Sequence, residues 1–364
     1  MDKIIFFTTI VLFPFGQLFK IGIFNLFDAA VLVLAAITLL LRPKFPDWYK
    51  YFIYFVLSCV FGLIINYSLF SLNSLLYLVR MVSYSLIAVY ISNFYKSKKI
   101  ISIAKLNHIP SLLISISVVS AIFGWVQYLL WPDLTFLKYL GWDDHLLRMV
   151  GTFLDPTYLG LILVLGVIIA LNEKYYKTLL FLAISLLFTY SRASYLALFF
   201  VLLFDFFKER SLFKFLILNS IFLILFFVPK NIGEGTTLTR TVSGNSKLEN
   251  YSQTIEIIKN SPAIGVGFNN ICSARQNYLG DTNIDSHGCN GADSSILFLL
   301  STTGIVGFIL FLNFVLHVPK FFILNSSFLA LLLHSTFSNS LFYPHIMFWI
   351  FVLIGLQTKV DSKS

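Results

Sequence analysis

Charge is what this sequence has least of. Asp, Glu, Lys and Arg make up only 12% of its 364 residues, whereas hydrophobic residues make up 58% and aromatic ones 17%. Soluble domains carry about a quarter charged residues and about half apolar ones, so an ordinary soluble domain is excluded. Other absences narrow the field further. No small-residue cleavage pattern follows the apolar run "MDKIIFFTTIVLFPFGQLF", which therefore reads as a first membrane span rather than a signal peptide. No Rossmann unit surrounds Gly265-Val266-Gly267, which removes a dinucleotide site. No DxD or His-rich spacing accompanies Asp143 and Asp144, so neither a metal nor any other cofactor is expected. No internal repeat is visible, which counts against a transporter.

What is abundant is length of apolar run. Forty phenylalanines and repeated runs of about 17 to 22 apolar residues match a bilayer core about 30 Å thick, and the mean hydropathy is +0.84. The expected fold class is all-α: a polytopic helical membrane protein of about twelve transmembrane helices with one long loop, about 228–293, that contains short helices. The expected spans are 4–19, 22–41, 50–70, 74–95, 111–131, 157–173, 177–191, 192–207, 212–229, 294–316, 320–335 and 341–357. They divide the chain into helices 1–9 (1–227), the loop (228–293), and helices 10–12 with a tail (294–364).

Basic residues set the expected sidedness, because Lys and Arg are retained on the cytoplasmic side. One alternating set of loops holds Lys3, Arg42, Lys44, Lys50, Lys96, Lys98, Lys99, Lys105, Lys174, Lys177, Lys208, Arg210, Lys214, Lys320, Lys359 and Lys363. Both termini then face the cytoplasm and the long loop faces outward. The net charge of +9 is thus a topology signal, and no nucleic-acid partner is expected.

Four stretches on the outer face carry the candidate chemistry. In "RMVGTFLDPTYLG" (148–160), Asp155-Pro156 reads as a capped helix start whose backbone N–H groups, with Arg148, suit an anion; the alternative is a snorkelling arginine. In "FTYSRASYLALFF" (188–200), Arg192 sits in a tight turn between spans, costly without a partner. Arg80 and Asp28 lie at a similar depth and are candidates for a buried pair. In the long loop, Leu248, Tyr251, Ile255 and Ile258 recur at helical spacing, with Arg240 and Lys247 flanking the helix start and Asn260-Ser261-Pro262 ending it. Finally "DSHGCNGADSSILFLLSTTGIVG" (285–307) leads His287 and Asp293 into an apolar helix. Asp293 is a candidate base or simply an N-cap. Cys272 and Cys289 fall in the outer loop, where a disulfide is permitted and would stabilise by roughly 3 kcal/mol; two free thiols are the alternative. Cys59 falls inside a span.

"RMVGTFLDPTYLG", "TYSRASYLALFF", "KNSPAIGVGFNN" and "ADSSILFLLSTTGIVG", in that order, resemble the bacterial O-antigen polymerase and O-antigen ligase superfamily. "HSTFSNSLFYPHIMFWIFVLIGL" is similar to that family's last two spans. The resemblance runs from Arg148 to the C-terminus. It implies glycosyl transfer on the periplasmic face of the inner membrane, with undecaprenyl-pyrophosphate-linked glycans as donor and acceptor. Ligases of the family carry a His-Asn pair where aligning "STTGIVG" puts Asp293-Ser294. That departure favours a polymerase. The resemblance also implies an arginine ahead of the loop helix, a place that falls on Lys247, with Arg240 as a substitute. Site residues implied are Asp293 or His287 as base, with Arg148, Arg192, Arg240 and Lys247 for the pyrophosphate and Arg192 counted as catalytic. Membrane lipids and a separate chain-length regulator are the expected partners. A ligase to lipid A core and a transporter of lipid-linked glycan are the rival readings.

Overall fold

A computed structural model describes residues 2–95, 109–209, 216, 220, 234–238, 241–281, 283, 287–320 and 325–358. The expected span 212–229 lies outside the described residues except for 216 and 220, as does Arg240. Among the described residues there are thirteen α-helices. They are α1 (Asp2–Leu12), α2 (Leu26–Leu40), α3 (Tyr49–Ile65), α4 (Leu72–Tyr90), α5 (Ile109–Leu130), α6 (Pro156–Asn172), α7 (Tyr176–Leu187), α8 (Arg192–Glu209), α9 (Val242–Asn260), α10 (Ile271–Leu279), α11 (Ser295–His317), α12 (Ser326–Ser335) and α13 (Pro344–Gln357). Three helical stretches, Leu72–Phe94, Pro110–Leu130 and Ser295–His317, are long and apolar enough to cross a membrane; six further apolar helices are shorter. Among the described residues, two small antiparallel hairpins, Lys20–Ile21 with Phe24–Asn25 and Asp133–Leu134 with His145–Leu146, interrupt the helical fold.

Local chemistry moves several helix ends inside the expected spans. α1 stops at Leu12 and Phe13–Phe15 is a 3-10 turn, since Pro14 has no N–H to continue an α-helix. α2 starts only at Leu26, because Asn25 and Asp28 form a reciprocal capping box. Asp155 caps α6 through a 2.6 Å bond from Thr157 N, with Pro156 in the first turn, as the sequence indicated.

The bundle is organised by pairs: α3 on α11, α4 on α13, α6 on α7, α8 on α12 and α2 on α4. α6 is apolar all round and buried from Leu159 to Leu171, which makes it a central post. Gly160 faces Ser194 of α8 and Gly166 faces Ser117 of α5; a methyl group at either would overlap those side chains. Small residues let helices approach closely where apolar burial cannot drive association. Arg80 of α4 and Asp28 of α2 do pair, at 2.8 Å, and are only 4% and 1% exposed. Tyr84 also donates to Asp28 (2.8 Å), and Arg80 donates to the carbonyl of Ile23.

α11 is not the continuous span that its hydropathy indicates. It breaks at Gly304, whose φ of 61° and ψ of −170° are open essentially to glycine alone. The segment 262–267 inserts into the break. Val266 N–H donates to Ser301 O (2.9 Å), while Ile305 and Val306 N–H donate to the carbonyls of Pro262 (2.9 Å) and Ala263 (3.2 Å). Gly304 lies nine residues from the start of α11, so this strap reaches about 14 Å along the helix at 1.5 Å per residue. Irregular backbone at such depth is tolerated where protein satisfies it.

Candidate functional site

Arg148 follows the second hairpin and crosses to the end of α7. Its Nε donates to Thr189 O (3.1 Å) and Nη2 to Tyr190 O (3.3 Å), so the guanidinium covers the carbonyl-rich C-terminus of that helix. Gly235 packs on its aliphatic stem, where a Cβ would come within 2.9 Å of Arg148 Cδ. Arg192, the first residue of α8 and half-buried, donates to Leu238 O at 3.4 Å. Both arginines therefore meet the segment 234–238. Lys247, one turn into α9, donates to Phe337 O at 2.6 Å.

The segment 335–341, between α12 and α13, gathers these elements. Beside the Lys247 contact, Tyr251 donates to Thr336 O (2.8 Å), Ser294 to Ser335 O (3.4 Å) and Ser295 to Ser338 O (3.4 Å); Leu341 N–H donates back to Ser295 Oγ (3.1 Å). His334 bridges Ser340 Oγ (2.6 Å) and Ser194 Oγ (3.2 Å), linking this segment to α8 two residues after Arg192. His334 and Ser194 were not singled out as site residues by sequence reading. The signal was present in the polar run "HSTFSNS" between two apolar stretches.

Asp293 is held by α9. Its N–H donates to Asn250 Oδ1 (2.9 Å), Asn250 Nδ2 donates to Gly291 O (3.1 Å), and Tyr251 reaches the Asp293 carbonyl at 3.5 Å. The Tyr251 hydroxyl is pushed up to about 12 by burial and, second, by the Asp293 charge, which places that carboxylate in its electrostatic reach. The N-cap of α11 is Ser294, whose side chain accepts from Leu297 N, so the capping alternative for Asp293 is overturned. Cys272 and Cys289 are joined in a disulfide, fixing the 3-10 turn His287–Asn290 to α10; Cys59 is free and buried. The His287 side chain lies outside what the structure describes.

α9 runs between the expected limits and buries a mixed face that includes Tyr251 of the periodic set. Leu248 and Ile255 are 66% and 43% exposed, while Asn250, Thr254 and Ile257 are buried. The reason is the partner surface: carbonyls at 291, 336 and 337 need donors, which Asn250, Tyr251 and Lys247 supply.

Behind this cluster lies a polar cavity of about 300 Å³, lined among others by Lys20, Arg80, Asp143, Asp155, Tyr158 and Asn339. Burial, and then the like charge of Arg80, lower the Lys20 ammonium below its ordinary value. Arg148, Arg192, Lys247 and Asp293 are not on its wall. Tyr158 connects the two regions: it is hydrogen-bonded with Ser338 and within electrostatic range of Asp155, Asp293 and Asp143. A second, apolar cavity of about 70 Å³ lies among Phe52, Phe55, Phe311, Phe314 and Phe351 and shares Met81, Phe342 and Met347 with the first.

No curated protein matches the chain. Residues 178–312, from α7 through most of α11, match the family model Wzy_C, described as O-Antigen ligase. The matched segment contains Arg192, Arg240, Lys247, His287 and Asp293, and ends short of the 335–341 segment on which its helices converge. This part of the chain is similar to the O-antigen ligase family, a match that supports the O-antigen polymerase and ligase superfamily and glycan transfer in general, without separating the two.

Proposed function

We propose that this protein is an O-antigen polymerase. It joins undecaprenyl-pyrophosphate-linked repeat units on the periplasmic face of the inner membrane, with both termini in the cytoplasm. The observation that carries the reading is a pair of linked clusters: Arg148 and Arg192 both contact segment 234–238, Lys247 and, through Tyr251, Asp293 adjoin segment 335–341, and His334 ties that segment to Ser194, two residues after Arg192. The acceptor hydroxyl attacks the anomeric carbon of the donor glycan. Asp293 takes the hydroxyl proton, the bond from the anomeric carbon to phosphate oxygen breaks, and undecaprenyl pyrophosphate leaves with its electrons. A positioned base contributes roughly 100- to 10,000-fold. Guanidinium forks match phosphate oxygens and do not titrate, so Arg148 and Arg192, with Arg240 and Lys247, take up the growing negative charge. His287 is the alternative base. The Phe-lined cavity, which shares Met81, Phe342 and Met347 with the polar one, supports a place for the carrier's hydrocarbon chain. Metal is not required in this scheme, and a separate regulator of chain length is its expected partner.

Asp293-Ser294 at the ligase His-Asn position favours the polymerase; the matched family description favours a ligase to lipid A core as the second reading. Incubating the purified protein with lipid-linked repeat units tests the proposal. A ladder that survives EDTA and vanishes in Arg192→Ala supports polymerase activity. Transfer only to lipid A core establishes the ligase. Movement of the lipid across a bilayer with no new glycosidic bond refutes both.

A further inference from the structure

A closed chain of polar groups runs from the start of α8 to the start of α11. Ser194, His334, Ser340 and Ser295 are all 0% exposed. His334 Nε2 meets Ser194 Oγ at 3.2 Å and Nδ1 meets Ser340 Oγ at 2.6 Å, and Leu341, the next residue, donates its N–H to Ser295 Oγ at 3.1 Å. Each end lies two residues from a group to which the proposed function gives a role: Ser194 from Arg192, the first residue of α8, and Ser295, the first residue of α11, from Asp293. His334 is the middle of the chain.

The serines do not need the imidazole to be satisfied. Ser194 Oγ also meets Ser191 Oγ (2.8 Å) and Thr157 O (3.4 Å), and Ser340 Oγ also meets Ser338 O (3.5 Å). An apolar side chain at position 334 would therefore leave neither buried hydroxyl without a partner. What it would remove is the connection: Ser194 would be held from α6 and α8 alone, and Ser340 from its own turn. A histidine suits the bridge because its two ring nitrogens lie on one rigid plane, and hydroxyls that either donate or accept keep both contacts in either tautomer. Gly160 of α6 makes room for it, since a Cβ there would fall 2.4 Å from Ser194 Oγ.

We propose that His334 is a positioning residue that fixes the start of α8 against segment 335–341 and so sets the separation of Arg192 from Asp293. The consequence for transfer rests on the proposed function; the mechanical link does not. Glycosyl transfer needs the base and the leaving-group cations at set places around one anomeric carbon, and a 1 Å misplacement costs a reaction about 100-fold. Loss of His334 therefore slows the chemistry without loosening the substrate.

The test compares His334→Leu, His334→Gln and Ser194→Ala in the full chain in nanodiscs. With lipid-linked repeat units, His334→Leu and Ser194→Ala each lower kcat by about 100-fold, while KM and the affinity for inorganic pyrophosphate stay within about threefold. His334→Gln, whose amide both donates and accepts, recovers at least about tenfold of the loss. The double variant is no slower than either single one, because one link is broken once. Nitroxides at Leu196→Cys and Ile296→Cys, exposed positions on α8 and α11, read the geometry with no substrate present in a Cys59→Ala background. Their distance distribution shifts or broadens by about 1 Å or more in His334→Leu and matches the parent in His334→Gln. An unchanged kcat or distance distribution in His334→Leu, pyrophosphate affinity lost along with kcat, no recovery in His334→Gln, or losses that multiply in the double variant overturns the assignment. No glycosidic bond formed by the unaltered protein would instead refute the transfer reading, and the distance measurement would still decide the link.

Discussion

Gly304→Ala is the sharpest structural perturbation available. At φ 61° and ψ −170° an alanine is strained by about 1–3 kcal/mol, and its Cβ would overlap the Ala263 backbone of the strap. The strap must therefore leave. A straightened α11 regains helical partners for the Ile305 and Val306 N–H groups, which now bond Pro262 and Ala263. What is not regained is the Val266 N–H bond to Ser301, partners for two strap carbonyls, and the burial of Val266, which is 0% exposed. Fully burying a valine is worth about 1.5–3 kcal/mol and each net hydrogen bond about 0.5–1.5. With two helical bonds regained for three strap bonds lost, these give a net loss of about 2–4.5 kcal/mol. The assay is labelling of Val266→Cys by a membrane-impermeant maleimide, beside thermal unfolding in detergent. In the otherwise unaltered chain the new thiol resists labelling; with Gly304→Ala it labels readily and the melting temperature falls. Equal protection and an unchanged melting temperature in both backgrounds would refute the broken-helix account.

Other outcomes follow from the same contacts. Asn250→Ala removes the bonds to Asp293 N and Gly291 O, costs about 2 kcal/mol, and speeds amide exchange at Asp293, whereas Glu249→Ala on the exposed face leaves exchange unchanged. Asp28→Asn leaves Arg80 buried without its counter-charge and destabilises by about 3–5 kcal/mol; the double change Asp28→Asn with Arg80→Met recovers much of that, measured by thermal unfolding. Replacing both Cys272 and Cys289 with serine costs about 3 kcal/mol by opening a loop with a sequence separation of 17, and increases proteolysis between α10 and α11. Tyr251 has a folded value of about 12, raised from 10, so the neutral phenol is the form favoured in the fold. Its stabilisation is intact below pH 10 and is lost as pH rises through about 12; ultraviolet titration against Tyr251→Phe resolves that step.

Local signals were legible where the determining chemistry lies within one turn of chain. Asp155-Pro156 gave the start of α6, Asn260-Ser261-Pro262 the end of α9, and the place of Cys272 and Cys289 in the long loop, expected to face outward, allowed their bridge. The depth of Arg80 and Asp28 made them plausible partners, and they pair. Features set by distant segments were not legible. The apolar spacing of Leu248, Tyr251, Ile255 and Ile258 gave the helix, but carbonyls far along the chain set which residues face inward: Tyr251 and Lys247 meet them while Leu248 and Ile255 stay exposed. "STTGIVG" reads as unbroken hydropathy because its interruption is caused by residues 262–267, about forty positions earlier. The role of His334 was not legible either, because the partner that makes it a link between helices, Ser194, lies 140 positions away.

The central claim is that bond formation and carrier release are one event at Asp293 and the cations around it. The direct measurement is a single-turnover reaction on purified protein, counting new glycosidic bonds and free undecaprenyl pyrophosphate in the same sample. The account predicts equal amounts of the two, with both falling together by at least about 100-fold in Arg192→Ala and in Asp293→Asn. Bonds formed without carrier release, or full turnover in both variants, would contradict it.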